Sequence, residues 1–226
     1  MHISLRRLAA SCVSAAVAAL THGTPAAAAS PLAAMPIGKS ITYHVTAEAD
    51  KPPAQGGNSS TDAYVQVKRT NASAFAVSLN GAPSGQITLN ADGSLNVPSQ
   101  LKKPLAPFGE VAMLMRSAPK PLAQGANWSA SLPVPLSGQT DTIAVAVGVT
   151  QFGKNGATVV ANGQNETEVR PALRAHPTDV AFTATMRFGA AHLLTYATSN
   201  LSVSVKLGAF RSKHLSDDWT LSLVGP

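Results

Sequence analysis

Behind a short N-terminal leader the chain has four histidines able to bind a metal or carry a proton, His44, His176, His192 and His214. No two lie close enough in sequence to form a helix-borne metal pair such as H-E-x-x-H. His214, Asp217 and Asp218 combine imidazole and carboxylates that can hold a cation. The same residues make an ordinary solvated acidic turn ahead of the last strand. Glu166 and Glu168 share one face of any extended segment, as paired carboxylates must for general acid and base work. They follow the turn signal Asn162-Gly163, which places them in water, where nothing tunes their pKa values. The stretch from Gly81 to Gly85 lacks the spacing of a nucleophile elbow. Neither it nor Gly56-Gly57 has the strand-to-helix context of a phosphate loop. The sequence predicts no enzyme, with no catalytic residue, no metal ligand set and no cofactor site.

Charge excludes another class of partner. Seventeen Lys and Arg stand against eleven Asp and Glu, and two of the basic residues, Arg6 and Arg7, belong to the leader. The remaining positive charges are scattered, with only Lys68-Arg69 and Lys102-Lys103 adjacent, and aromatics make up 5% of the chain. A nucleic-acid surface needs clustered basic residues and stacking platforms, so no nucleic-acid partner is expected.

The leader itself is informative. Arg6 and Arg7, the apolar run Leu8 to Leu20 and the small residues from Pro25 to Ala29 have the order of a secretory signal peptide. The run of 13 residues is short of the roughly 18 or more that a transmembrane helix needs, and no comparable run follows. Residues 1–29 are read as signal peptide and 30–226 as a single β domain, exported to the periplasm or the outside of the cell. Cleavage removes Cys12, the one cysteine, so the processed chain forms no disulfide and depends on its core.

The elements that position the side chains are read from periodicity. Ile41, Tyr43, Val45, Ala47 and Ala49 alternate with polar residues, as do Val180, Phe182, Ala184, Met186 and Phe188, then Leu201 to Leu207, and Trp219 to Leu223. That two-residue period marks strands with one buried face. Weaker alternations at 63–67, 75–79, 87–89, 128–136 and 143–149 bring the number to about nine to ten strands. Asn80-Gly81, Asp92-Gly93, Asn155-Gly156 and Asn162-Gly163 supply turn residues that tolerate positive φ, and a further hairpin is expected across 188–192. A loop is expected at 52–60, which holds two Pro and two Gly. One helix is predicted over 107–118, with Pro107 in its first turn and Pro119 beyond its end. Apolar parity is even at Leu194 and Tyr196 and odd from Leu201, which predicts a bulge at 198–200. The fold class is mainly β: a single curled antiparallel sheet, barrel or half barrel, with one short helix. Six Phe, three Tyr and two Trp are too few for the aromatic girdles of an outer-membrane barrel.

A curled antiparallel sheet around one helix, behind a signal peptide and without cysteine, resembles the half-barrel carriers of the lipoprotein-localisation type. The proline-led stretch Pro119 to Trp128, ending in Gly-x-x-Trp, is similar to a strand start in such envelope proteins. From the residues themselves, a hydrophobic ligand or lipid is expected to meet Phe108, Val111 and Met115 on the helix and Phe182, Met186 and Phe188 on the longest regular strand. Methionine suits such a surface because it adapts to varied partners. The alternative is a structural or assembly protein of the cell envelope with no small-molecule ligand. On the export reading, expression in a bacterium yields an envelope-fraction protein beginning at or near Ser30 by intact mass; a product that keeps residues 1–29 contradicts it.

Overall fold

The structure, a computed structural model, describes residues 32, 34–50, 58–136, 139–167, 178–190, 192–206 and 212–225. The leader, most of the loop expected at 52–60, Glu168 and His176 lie outside these residues. Alternation produces the strands β1 (Ser40–Asp50), β2 (Ser59–Arg69), β3 (Ala74–Leu79), β4 (Ala82–Leu89) and β5 (Leu95–Asn96). After the helix α1 (Lys102–Met115) come β6 (Asn127–Leu136), β7 (Gln139–Gly153), β8 (Gly156–Thr167), β9 (Thr178–Gly189), β10 (Leu194–Lys206) and β11 (Ser212–Gly225). All eleven join one antiparallel sheet in the order β5-β4-β3-β2-β1-β11-β10-β9-β8-β7-β6.

The sheet is thus two meanders. One runs outward from β1 to β5, the other inward from β6 to β11, and the β1–β11 ladder joins them from Thr42–Gly225 to Asp50–Ser216. The only covalent link between the meanders is the segment carrying α1, which connects the two edge strands. At the β6 edge Pro133 and Pro135 offer no N–H to an added strand, a common protection of exposed edges.

Curvature follows from lengths. The helix touches β2, β11 and β6. Seven strand spacings separate β2 from β6 in the sheet order, about 33 Å along a flat sheet. The 14 residues of α1 span only about 21 Å. The sheet therefore curls around the helix without closing. Its inner face supplies Tyr43, Val45, Val65, Phe75, Ile87, Val145, Val159, Phe182, Met186 and Leu221 to one core, which α1 fills with Leu105, Phe108, Val111, Leu114 and Met115. Leu32 and Met35, just ahead of β1, are buried in the same core, and the Arg69 guanidinium anchors them by donating to the Met35 carbonyl at 2.6 Å.

Four local expectations change. The helix begins at Lys102, after a 3₁₀ turn at Ser99–Leu101, and ends at Met115, so Pro107 lies inside it. The reason is that Leu101 and Leu105 extend the apolar stripe one and a half turns toward the N-terminus, and both are buried. Asn162-Gly163 is not a turn but part of β8. Gly163 lies on the inner face opposite Phe182, where an added Cβ would sit 3.0 Å from Val145 and 3.3 Å from Ile143; the missing side chain is a packing requirement. The parity change in β10 occurs at the irregularity between Leu194 and Tyr196 rather than at 198–200. Tyr196 consequently leaves the inner face, and the Arg187 guanidinium lies 5.3 Å from its ring. His214, Asp217 and Asp218 belong to β11 rather than to a turn before it.

Asn80-Gly81 and Asp92-Gly93 fall between strands, Asn155-Gly156 leads from the turn into the first residue of β8, and the hairpin after β9 turns at His192 with φ +57°. Gly156 is the most constrained of these positions. Its φ is +127°, and a Cβ there would lie 1.8 Å from the Phe188 carbonyl oxygen. Gly156→Ala should cost at least about 2 kcal/mol, combining a strained backbone with a forced displacement of β9. A urea midpoint unchanged from that of the parent protein would contradict this packing of β8 on β9.

Candidate functional site

The six side chains expected to meet a ligand all belong to the one buried core. Phe108, Val111 and Met115 face inward from α1, Phe182, Met186 and Phe188 face inward from β9, and all six are buried. Within this core the helix packs on β1, with the Phe108 ring edge-on to Tyr43 at 5.1 Å between centroids. The Tyr43 hydroxyl donates to the Leu194 carbonyl at 2.9 Å, and burial pushes its phenol well above the ordinary range. Surface clefts of about 290–530 Å³ occur among the described residues; Phe188 borders one, and Ala47, Ser199 and Trp219 border another.

Registers place a row of inner-face residues across the sheet under the helix. Ala47 on β1 pairs with Trp219 on β11, Trp219 with Ser199 on β10, Ser199 with Ala184 on β9, and Ala184 with Ala161 on β8. The row continues through Val147 to Trp128 on the edge strand β6. Its central members, Ser199, Ala184 and Ala161, are small. The helix lies along it: the Trp128 indole N–H donates to the Leu114 carbonyl at 2.7 Å, while Glu110, one turn earlier, faces Ser199 and Trp219.

That meeting point is chemically unlike the rest of the core. Ser199 and Trp219 are only 4% and 5% exposed. Glu110 Oε1, Ser199 Oγ and Trp219 Nε1 are all buried without a well-formed hydrogen bond. Part of the Glu110 side chain reaches solvent, but its sealed oxygen decides the electrostatics. Burial pushes the Glu110 carboxyl up to about 7, against a downward pull from the nearby Ser199 hydroxyl and Trp219 indole and with a further upward push from Asp217. Each unsatisfied buried polar atom costs about 1–3 kcal/mol, so the interface between helix and sheet carries an internal penalty.

Sequence reasoning singled out neither Glu110 nor Ser199. A signal existed for both. Ser199 occupies an inward position in the alternation Ala197, Ser199, Leu201, Val203, and Glu110 stands four residues before the buried Leu114. The histidine and carboxylate candidates are dispersed. His44 lies on the outer face, where Asp62 pairs with its Nε2 at 2.8 Å and Tyr64 stacks on its ring at 4.8 Å. Glu166 pairs in register with Asp179, and among the described residues no group of three or more His, Cys, Asp or Glu could hold a metal. No protein family, curated protein or solved structure matches the chain.

The Glu110 environment fixes a pH dependence. Its carboxyl moves from an ordinary value of 4.5 to about 7, so the packed form holds a proton that the exposed form has released. Its contribution to stability is complete below about pH 4.5, declines as pH rises to about 7, and is constant beyond. The loss amounts to at most about 3 kcal/mol, less where solvent reaches the side chain. Glu110→Gln, neutral at every pH, should remove this component between pH 4.5 and 7.5 in urea titrations; identical pH profiles for the two proteins would refute the assignment.

Proposed function

We propose that the protein is an exported carrier that binds a hydrophobic ligand or lipid on the inner face of its half barrel. In the structure α1 occupies that face. The observation that carries this reading is the loose polar contact where the helix meets the sheet, a buried carboxyl facing the Ser199 hydroxyl and Trp219 indole through hydrogen bonds that are not well formed. A helix held by a partly unsatisfied interface gives way to a ligand more readily than a fully matched one.

Two further features support displacement. The backbone ladders of the sheet run only between strands, including the β1–β11 ladder, so a displaced helix breaks none of them and gives up the bond from the Trp128 indole to the Leu114 carbonyl. At its C-terminal end the helix is tied to solvent-exposed groups, Arg116 to Asp92 at 2.8 Å, and exposed pairs of this kind contribute about 0–1 kcal/mol. The assembly reading has less behind it. A docking face would rest on a contiguous exposed apolar patch, and the large exposed apolar side chains among the described residues, Ile37, Tyr64, Met113, Phe152 and Val224, come from five different segments.

The carrier reading predicts opposite effects on the two sides of the interface. Phe182→Asp should abolish uptake of a fluorescent fatty acid while the β-type circular dichroism persists. Phe108→Ala should lower stability by about 3–5 kcal/mol yet raise probe affinity, because the helix competes less well for the face. Protein isolated from its envelope without bound lipid, together with no probe uptake by either the parent protein or Phe108→Ala, would end this reading.

A further inference from the structure

We propose that one rim of the half barrel docks on an anionic lipid surface, where Lys39, Lys68, Lys154 and Arg187 meet the head groups and Ile37, Phe152 and Val224 enter between them. The proposal goes beyond the carrier reading and stands without it. These cations are dispersed in the sequence, but antiparallel pairing brings alternate strand ends to the same rim. Lys39 precedes β1, Lys68 is the penultimate residue of β2, Arg187 lies two residues from the end of β9, and Lys154 sits in the turn between β7 and β8. The registers trace this rim: Ser40 pairs with Lys68, Thr42 with Gly225, Leu194 with Phe188, and Gly153 with Gly156.

All four cations are exposed, and Lys39, Lys68 and Lys154 form no ion pair with a described residue. Among the described residues the one carboxylate at this rim is Asp92, already engaged by Arg116. Glu48, Asp50, Asp179, Asp217 and Asp218 lie toward the opposite strand ends, together with Lys206 and Lys213. The rim thus keeps an uncompensated positive charge. Its apolar residues are as exposed as its cations. Ile37 is 63% exposed in the turn before β1, where the Gly38 N–H donates to the Arg69 carbonyl at 2.8 Å, and Val224 is 57% exposed at the end of β11. Phe152, 43% exposed, carries the apolar inner face out to the rim, since it pairs with Ala157, and Ala157 with Phe188. The same short sequence, apolar-Gly-Lys, stands at two points of the rim as Ile37-Gly38-Lys39 and Phe152-Gly153-Lys154. Single exposed apolar side chains need no explanation. Apolar side chains interleaved with unpaired cations along one rim match the two parts of a membrane interface, acyl chain and anionic head group. Six strand spacings separate β2 from β7, about 28 Å, too wide an arc for one small anion. A bilayer meets every point of it, and its negative surface attracts Lys and Arg across a Debye length.

The test is co-sedimentation of the purified protein with vesicles of phosphatidylcholine alone or of phosphatidylcholine and phosphatidylglycerol in equal parts. The mixed vesicles should bind roughly tenfold or more tighter at low salt, and high salt should remove most of that difference. Lys39→Glu combined with Lys68→Glu should weaken binding to the mixed vesicles by about tenfold or more. Lys102→Glu combined with Lys103→Glu makes the same change of charge at the start of α1, where Leu101 packs beside Gly85 in the middle of β4. That control should stay within about twofold of the parent protein. Ile37→Ser combined with Phe152→Ser should weaken binding roughly fivefold or more while the preference for anionic lipid persists. Circular dichroism checks that each variant is folded, and either rim pair suffices if the other is not. Equal binding to both kinds of vesicle, binding to neither, or an equal loss in the two lysine pairs overturns the proposal. Retention on heparin without binding to vesicles assigns the rim to an acidic macromolecule and overturns it as well.

Discussion

A sheet of one layer has to bury one of its faces without a second sheet to pack against, and the rest of this structure answers that requirement. Burying an apolar face is the main favourable term available to a chain without disulfides. Here the sheet rolls over a single helix. The 14 residues of α1 set how tightly the strands must curl, because the helix must reach from β2 to β6. Small side chains at Ala47, Ser199, Ala184 and Ala161 let the helix lie close, and Gly163 opens the space that Phe182, Val145 and Ile143 share. Leu32 and Met35 complete the burial beside β1.

The polar groups inside this core divide into two kinds. Tyr43 is settled, its hydroxyl on the Leu194 carbonyl, and Trp128 is settled on Leu114. Glu110, Ser199 and Trp219 are not. Natural cores usually satisfy their buried polar atoms, so a concentrated exception calls for an explanation. It stands where α1 meets β10 and β11, and polar contacts left loose in this way lower local stability and favour rearrangement.

Much of the architecture was legible because alternation is a strong and local signal. The residues from Ile41 to Ala49 and from Val180 to Phe188 show the same inward parity in the sequence and in the fold. Illegible parts depended on neighbours distant in the chain. Asn162-Gly163 has turn chemistry, yet pairing of β8 with both β7 and β9 overrides it. Without a strong alternation of its own β8 escaped notice, as did β5, only two residues long. Among the candidate side chains, the apolar six were legible as one cluster because each sits on a regular face. The polar three were not, since one comes from the helix and two from strands whose register only the folded sheet defines.

The ladder between β1 and β11 has a temporal meaning as well. It joins the first strand of the chain to the last, so the two halves of the sheet cannot unite until the final 14-residue strand is present. Contacts between such distant segments pay their loop-closure entropy before they return any stabilisation, and folds dominated by them form slowly. A nascent chain of this design stays open while it lengthens. On the export proposed above, such late closure keeps the chain pliable until β11 has followed the other strands.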